Sequence, residues 1–194
     1  MDKISRIKNS IAPHISLTDD ELSILCDLFE VKTFKKNDFF LKEGQICKYI
    51  GLINSGLFTY FKTVNNDNKT TVGFGFEGDW ITNTNSRLYH VPSIINIAAI
   101  ENSELLVITQ QNLSDVYKQI PQIERLARIL IEQAYIKLYQ LTIDLQIHSA
   151  KERYENLLKN DPKIFTKVPL YHIANYLGIN PKSLSRIRKK IFKN

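Results

Sequence analysis

The sequence predicts an α+β protein: an N-terminal antiparallel β roll, then a long helix, then a C-terminal helix-turn-helix. Three observations carry that prediction. From Val31 to Thr109, short runs rich in Val, Ile, Phe and Tyr alternate with turn residues. From Ile120 the apolar residues recur every three or four positions for about six turns. The stretch Leu170 to Asn194 carries two short apolar-faced segments broken at Gly178, the second strongly basic.

The first 30 residues read as helical. Ser16 or Thr18 can cap the segment DDELSILCDLFE, whose Leu22, Leu25 and Leu28 share a face, and Asp19 and Asp20 suit the positive end of the helix dipole. The strand candidates follow as VKTFKKND, FFLKEGQ, KYIGLINSG, LFTYFKT, VNNDNK, TTVGFGFEGD, INIAAIENS and ELLVIT. Gly44, Gly51, Gly56, Gly73, Gly75 and Gly78 all fall among them, which marks a turn-rich β domain, and the remaining glycine is Gly178.

In the long helix, Ile123, Ala127, Leu130, Ala134, Leu138, Leu141 and Leu145 form one apolar stripe. A stripe of this length between a β domain and a helix-turn-helix predicts a dimer seam; the alternative is a cover for the roll in a monomer. Ser149 and Lys151 to Leu158 begin a further helix, ended by Asn160, Asp161 and Pro162.

The C-terminal motif is specified position by position. Ile173, Ala174 and Leu177 make one face, Ala174 admits a close neighbour, and Gly178 can take a positive φ. Asn180 can cap the next helix with Pro181 at its first position. That helix buries Leu184 and Ile187 and offers Lys182, Ser183, Ser185, Arg186, Arg188, Lys189 and Lys190 to a phosphate-lined groove. Lys182, Ser183 and Arg186 are expected at base edges, and Arg188, Lys189 and Lys190 at phosphates. The alternative is a helical hairpin with a solvated basic face. The expected domains are 1–119, 120–147 and 148–194.

Charge is distributed accordingly. Residues 151–194 hold eleven Lys and Arg against three Asp and Glu, a net of +8, while residues 1–150 net −2. Such asymmetry predicts one module that touches DNA and another that does something else. Cys26 and Cys47 lack CxxC or clustered His spacing, so they read as buried free thiols and no metal or cofactor is expected. No nucleophile-base pair or phosphate loop stands out, so an enzyme is not expected. The opening MDKISRIKNS lacks the apolar core of a signal peptide, and no run of about 18 apolar residues occurs, which predicts a cytoplasmic protein without membrane contact.

Several fragments, in order, resemble the bacterial CRP/FNR family of regulators. They are Phe34-Lys35-Lys36, Leu41-Lys42-Glu43-Gly44, Ile53-Asn54-Ser55-Gly56, Phe76-Glu77-Gly78-Asp79-Trp80, Ser149-Ala150-Lys151-Glu152-Arg153-Tyr154, Ile173-Ala174-Asn175-Tyr176-Leu177-Gly178-Ile179, and Leu184-Ser185-Arg186-Ile187-Arg188. The resemblance spans nearly the whole chain. It implies a homodimeric transcription regulator with a cyclic-nucleotide-binding-like sensor, whose partners are double-stranded promoter DNA and RNA polymerase. The sequence stops soon after the basic helix, without the terminal hairpin of many relatives, so fewer backbone contacts are expected there.

The family's cyclic AMP signature does not carry over. Where binders have Gly-Glu-Leu, this chain reads Gly78-Asp79-Trp80, and where they have Arg-Ser or Arg-Thr it reads near Ser93-Ile94-Ile95. The missing arginine removes a bidentate phosphate contact. The polar pair that meets the base falls on Leu138 and Tyr139, so cyclic AMP is not expected and the effector is unknown. Gly78, Asp79, Trp80, Arg87 and Ser93 are the candidate pocket residues; Arg87 could supply a replacement charge or could face solvent. His172 is expected at the surface or on a phosphate. His90 has no visible ligand partner, and His14 and His148 stand alone. The competing reading of the whole chain is a sensor whose basic helical tail docks an acidic protein.

Overall fold

Two short helices open the chain, each started by a side-chain cap. Asp2 accepts the Ser5 amide at 2.9 Å ahead of α1 (Lys3–Ile11). Thr18 and Glu21 form a reciprocal capping box ahead of α2 (Asp19–Asp27), so of the two expected caps Thr18 is used.

Among the described residues eight strands follow: β1 (Glu30–Phe34), β2 (Phe39–Leu41), β3 (Tyr49–Ser55), β4 (Leu57–Val64), β5 (Asn68–Phe76), β6 (Trp80–Ile81), β7 (Asn96–Ala99) and β8 (Ser103–Thr109). They form two four-stranded sheets, ordered β1-β8-β3-β6 and β2-β7-β4-β5. The β3–β8 pair is antiparallel, with Leu52 opposite Leu106 and Ile53 opposite Leu105. Because side chains alternate along a strand, this register sends Leu52, Leu106 and Ile108 to one core and Ile53, Leu105 and Val107 to another. The first core packs against the helices; the second fills the roll with Phe58, Ile81, Ile97 and Cys47. Gly56 makes the β3–β4 turn at φ 96°, with Ser103 pressed against the place a Cβ would occupy.

Three helices lie where no helix was expected. α3 (Thr84–Tyr89) is capped by Asn83 and ends at His90 in the left-handed region. α4 (Gln110–Gln119) is capped by Thr109 and buries Leu113 and Val116. α7 (Lys163–Lys167) buries Ile164. Each is short, and α4 follows strand β8 without an intervening breaker, so the apolar run hid its period. The remaining helices are α5 (Pro121–Ile147), α6 (Ala150–Asn160), α8 (Leu170–Tyr176) and α9 (Pro181–Phe192).

The computed structural model describes residues 2–64 and 68–192; Asn65, Asn66 and Asp67 of the expected VNNDNK run lie outside them. Its contacts divide into two units, Met1–Tyr60 with Phe74–Glu132, and Phe61–Gly73 with Gln133–Asn194. The division cuts α5 at Glu132 and groups the distal part of the β4–β5 hairpin with the C-terminal helices. Among the described residues, no helix is long and apolar enough to cross a membrane. Cys26 and Cys47 are buried free thiols.

Candidate functional site

The turn between α8 and α9 is built from backbone hydrogen bonds that its sequence permits. Gly178 sits at φ 67°; its amide donates to Asn175 O at 3.0 Å, and the Ile179 amide donates to Ala174 O at 3.0 Å. These two bonds close the end of α8 as a Schellman motif, which needs a left-handed residue at that position. Asn180 then accepts the Ser183 amide at 2.8 Å, and Pro181 is the first residue of α9. Ile173, Ala174, Leu177 and Leu184 are buried. The C-terminal helices thus fit a helix-turn-helix.

On α9, Lys182, Ser185, Arg186, Lys189 and Lys190 are exposed. Their spacing puts Lys182, Ser185, Arg186 and Lys189 along one face, free of acidic side chains within the helix. Two of the seven expected contact residues differ in environment. Ser183 is half-buried beside the cap, and Arg188 is half-buried with its Nε out of solvent and without a hydrogen-bond partner among the described residues. Arg188 stands next to Ile187 and Leu184, so it follows the buried edge of the helix.

His172 is buried, 7% exposed, rather than on the surface. The Tyr171 ring centroid lies 3.9 Å from its own. Burial, reinforced by the positive charge of Lys69, holds the imidazole down at about 4, so it is neutral near pH 7.

Arg153, which the sequence shows only as part of the Ser149–Tyr154 motif, bridges two backbone carbonyls. Its Nη1 donates to His148 O at 2.7 Å, and its Nε and Nη2 donate to Leu177 O at 3.2 and 2.9 Å. A cue was present: Ser149-x-x-Glu152 is a capping-box signature, and it sets Arg153 in the first turn of α6.

Arg87 is the other surprise. It is 5% exposed, in α3, and its Nη1 donates to the Gln110 side-chain oxygen of α4. The solvent-facing alternative is therefore excluded. Burial lowers its pKa, Nε has no hydrogen-bond partner, and no carboxylate pairs with it among the described residues. Ser93 is also engaged: its hydroxyl accepts from Asn83 Nδ2 at 2.9 Å and donates to Ile95 O at 2.7 Å.

Gly78 is at φ 88°, and Asp79 spends its carboxylate on the Phe76 amide at 2.8 Å. Trp80 packs on Phe29, ring centroids 6.0 Å apart, within the helix-side core. A cleft of about 630 Å³ opens beside β3, lined by Phe40, Leu41, Gly44, Gln45, Ile46, Cys47, Lys48 and Tyr49. None of the five candidate pocket residues lines it.

The apolar stripe of α5 has two environments. Ile123 is buried in the helix-side core and Leu130 packs against that core, so this end of the stripe is taken up within the chain itself. Ala127 and Leu141 are half-buried, while Ala134, Leu138 and Leu145 are exposed, Leu138 at 63%. Ile131 and Tyr135 add to the exposed apolar surface on the same side.

Comparison with known proteins gives a consistent picture. Residues 31–120 match the family model of the cyclic nucleotide-binding domain. No curated protein matches the sequence significantly. Among solved structures, FixK2 from Bradyrhizobium japonicum is similar with a TM-score of 0.74 at 15% identity, over 85% of each chain. The c-di-GMP responsive global regulator CLP of Xanthomonas campestris gives 0.70 at 11%, over 91% of this chain and 92% of that one. A protein from Eubacterium rectale described as a transcriptional regulator of the crp/fnr family gives 0.69 at 16%, over 90% and 84%. At these identities the likeness is one of fold.

Proposed function

We propose that this chain, whose residues 31–120 match a cyclic nucleotide-binding domain and whose fold resembles that of CRP/FNR regulators, is a homodimeric, DNA-binding transcription regulator. The observation that carries the proposal is the exposed cationic face of α9, Lys182, Ser185, Arg186 and Lys189, presented by a capped and Schellman-closed turn. A helix with such a face suits the major groove, with arginine reading guanine and lysine meeting phosphate. Arg186 is assigned to base readout with Lys182 beside it, and Ser185 joins them in place of the half-buried Ser183. Lys189 and Lys190 are assigned to phosphates.

The exposed part of the α5 stripe, around Ile131, Tyr135, Leu138 and Leu145, supports a dimer seam: large apolar side chains grouped on one helix face mark an association surface. Residues 1–119 act as the sensor, 120–147 as connector and 148–194 as the DNA-binding region, with RNA polymerase as a further partner. The engagement of the Ser93 hydroxyl by Asn83 and Ile95 and the diversion of Arg87 to Gln110 support a cassette that does not take cyclic AMP. The experiment is selection of a preferred duplex from random sequences followed by titration at several salt concentrations. Sequence preference with a steep salt dependence is the expected result. Binding to an acidic protein without duplex preference would overturn it, and micromolar cyclic AMP binding by calorimetry would overturn the reading of the cassette.

A further inference from the structure

We infer that Arg153 is a positioning residue that couples the long helix α5 to the recognition helix α9 by capping two helix ends at once. What the coupling serves rests on the DNA-binding reading above; the coupling itself does not. The last carbonyls of a helix lack intrahelical donors and carry the negative end of its dipole, so a cation there is favoured. α5 ends at Ile147, and His148 completes its last turn by donating its amide to Asp144 O at 3.1 Å. α8 ends at Tyr176 with Leu177 as its cap. The Schellman bonds from Gly178 and Ile179 use the carbonyls of Asn175 and Ala174 and leave that of Leu177. One guanidinium supplies both missing donors, with Nη1 on His148 O and Nε with Nη2 on Leu177 O.

The fork is rigid and so is its base. Guanidinium donors lie in one plane at fixed separations, which sets the spacing and direction of the two carbonyls relative to each other. The Arg153 amide donates to Ser149 O at 2.9 Å in the first turn of α6. That turn is closed by the capping box, Ser149 N to Glu152 Oε2 at 2.7 Å and Glu152 N to Ser149 Oγ at 3.3 Å. Leu177 leads directly through Gly178 into α9. A shift at the end of α5 is therefore carried across one side chain to the turn from which α9 starts. Lysine cannot replace it, because a single ammonium cannot hold both carbonyls in this geometry.

The test uses the full chain and two variants, Arg153→Gln and Arg153→Lys, with Lys151→Gln as an exposed neighbour control. For distances, spin labels go on Gln133→Cys in α5 and Lys189→Cys in α9, in a background where both native cysteines are buried. Labelled protein is diluted with unlabelled protein so that only distances within one chain are read. The parent and Lys151→Gln should give one narrow α5–α9 distance; both Arg153 variants should broaden it while far-ultraviolet dichroism keeps its helical signal. DNA titrations use the same variants without labels. Arg153→Gln should lose about tenfold or more in affinity for the selected site, the order of a charged hydrogen bond, with non-specific affinity nearly unchanged. A narrow distance in Arg153→Gln overturns the coupling, and a narrow distance in Arg153→Lys overturns the two-carbonyl argument. If the parent binds no duplex, the proposed function falls while the distances still judge the coupling.

Discussion

Replacing His172 by Leu should remove a specific part of the protein's acid sensitivity. In the folded chain the imidazole titrates at about 4, held down by burial first and by Lys69 second. An unfolded histidine titrates near 6.5. Between those values the unfolded chain binds the proton and the folded chain does not, so the stabilisation is complete above about pH 6.5 and is lost as pH falls towards 4. Worked through the linkage relation, the loss from pH 8 to pH 5 is about 2 kcal/mol, and the full span to pH 4 and below is about 3 kcal/mol. The assay is urea unfolding followed by far-ultraviolet dichroism at pH 8, 6 and 5, for the parent and for His172→Leu. Carboxylates titrate in both proteins and cancel in the difference. The difference between the two proteins should therefore change by about 2 kcal/mol between pH 8 and 5, in favour of the variant at low pH. Parallel pH profiles would refute the reasoning and put the imidazole in a wetter place than the structure gives it.

Two glycines separate strain from collision. Gly178→Ala should cost about 1–2 kcal/mol through its left-handed φ alone, since an added Cβ would meet only Arg153 Nη2 at 4.0 Å. Gly56→Ala adds a collision with Ser103, whose Cα would be 2.8 Å away, so it should be clearly the more destabilising of the two in the same urea assay; equal losses would contradict this. Leu138→Asp, placed in the exposed stripe of α5, should convert a dimer to a monomer in sedimentation, and a dimer of unchanged affinity would remove that seam. In DNA titrations, Arg186→Ala should lower specific binding by about 1–3 kcal/mol and relax sequence preference, whereas Lys190→Ala should weaken all sequences and make the salt slope shallower by about one. An Arg186 variant with intact preference would remove that residue from base readout.

Much of the fold was legible because its signals are local. Gly44, Gly56, Gly78 and Gly178 at positive φ, Thr18, Ser149 and Asn180 as caps, and the three-four period after Ile120 each act within a few residues, and the structure uses each of them, whereas Gly51, Gly73 and Gly75 lie inside strands. What was not legible depends on neighbours distant in sequence. His172 looks polar and exposed in its own helix but is buried in the fold, under the influence of Lys69 more than 100 residues earlier. Arg87 reads as a loop cation until α4, itself hidden behind the apolar run of β8, supplies Gln110. Ile123 belongs to the stripe by period and to the chain's own core by packing, a distinction periodicity cannot make. Ser183 and Ser185 are both polar and two positions apart, and only the rotation of α9 tells which faces outward.

The grouping of Phe61–Gly73 with the C-terminal helices bears on how this protein can be taken apart. A module defined by one stretch of sequence can be cut free or transplanted at a single junction. Here the chain enters the second unit in the middle of a hairpin, leaves it, and enters again within α5. Phe61 and Thr71, both buried, travel with that excursion. A fragment starting at Gln133 would lack the hairpin segment that groups with it. A chimera that exchanges only the tail would pair a new helical unit with an old hairpin. Any exchange of specificity between relatives would then have to move the hairpin and the helices as one inherited piece.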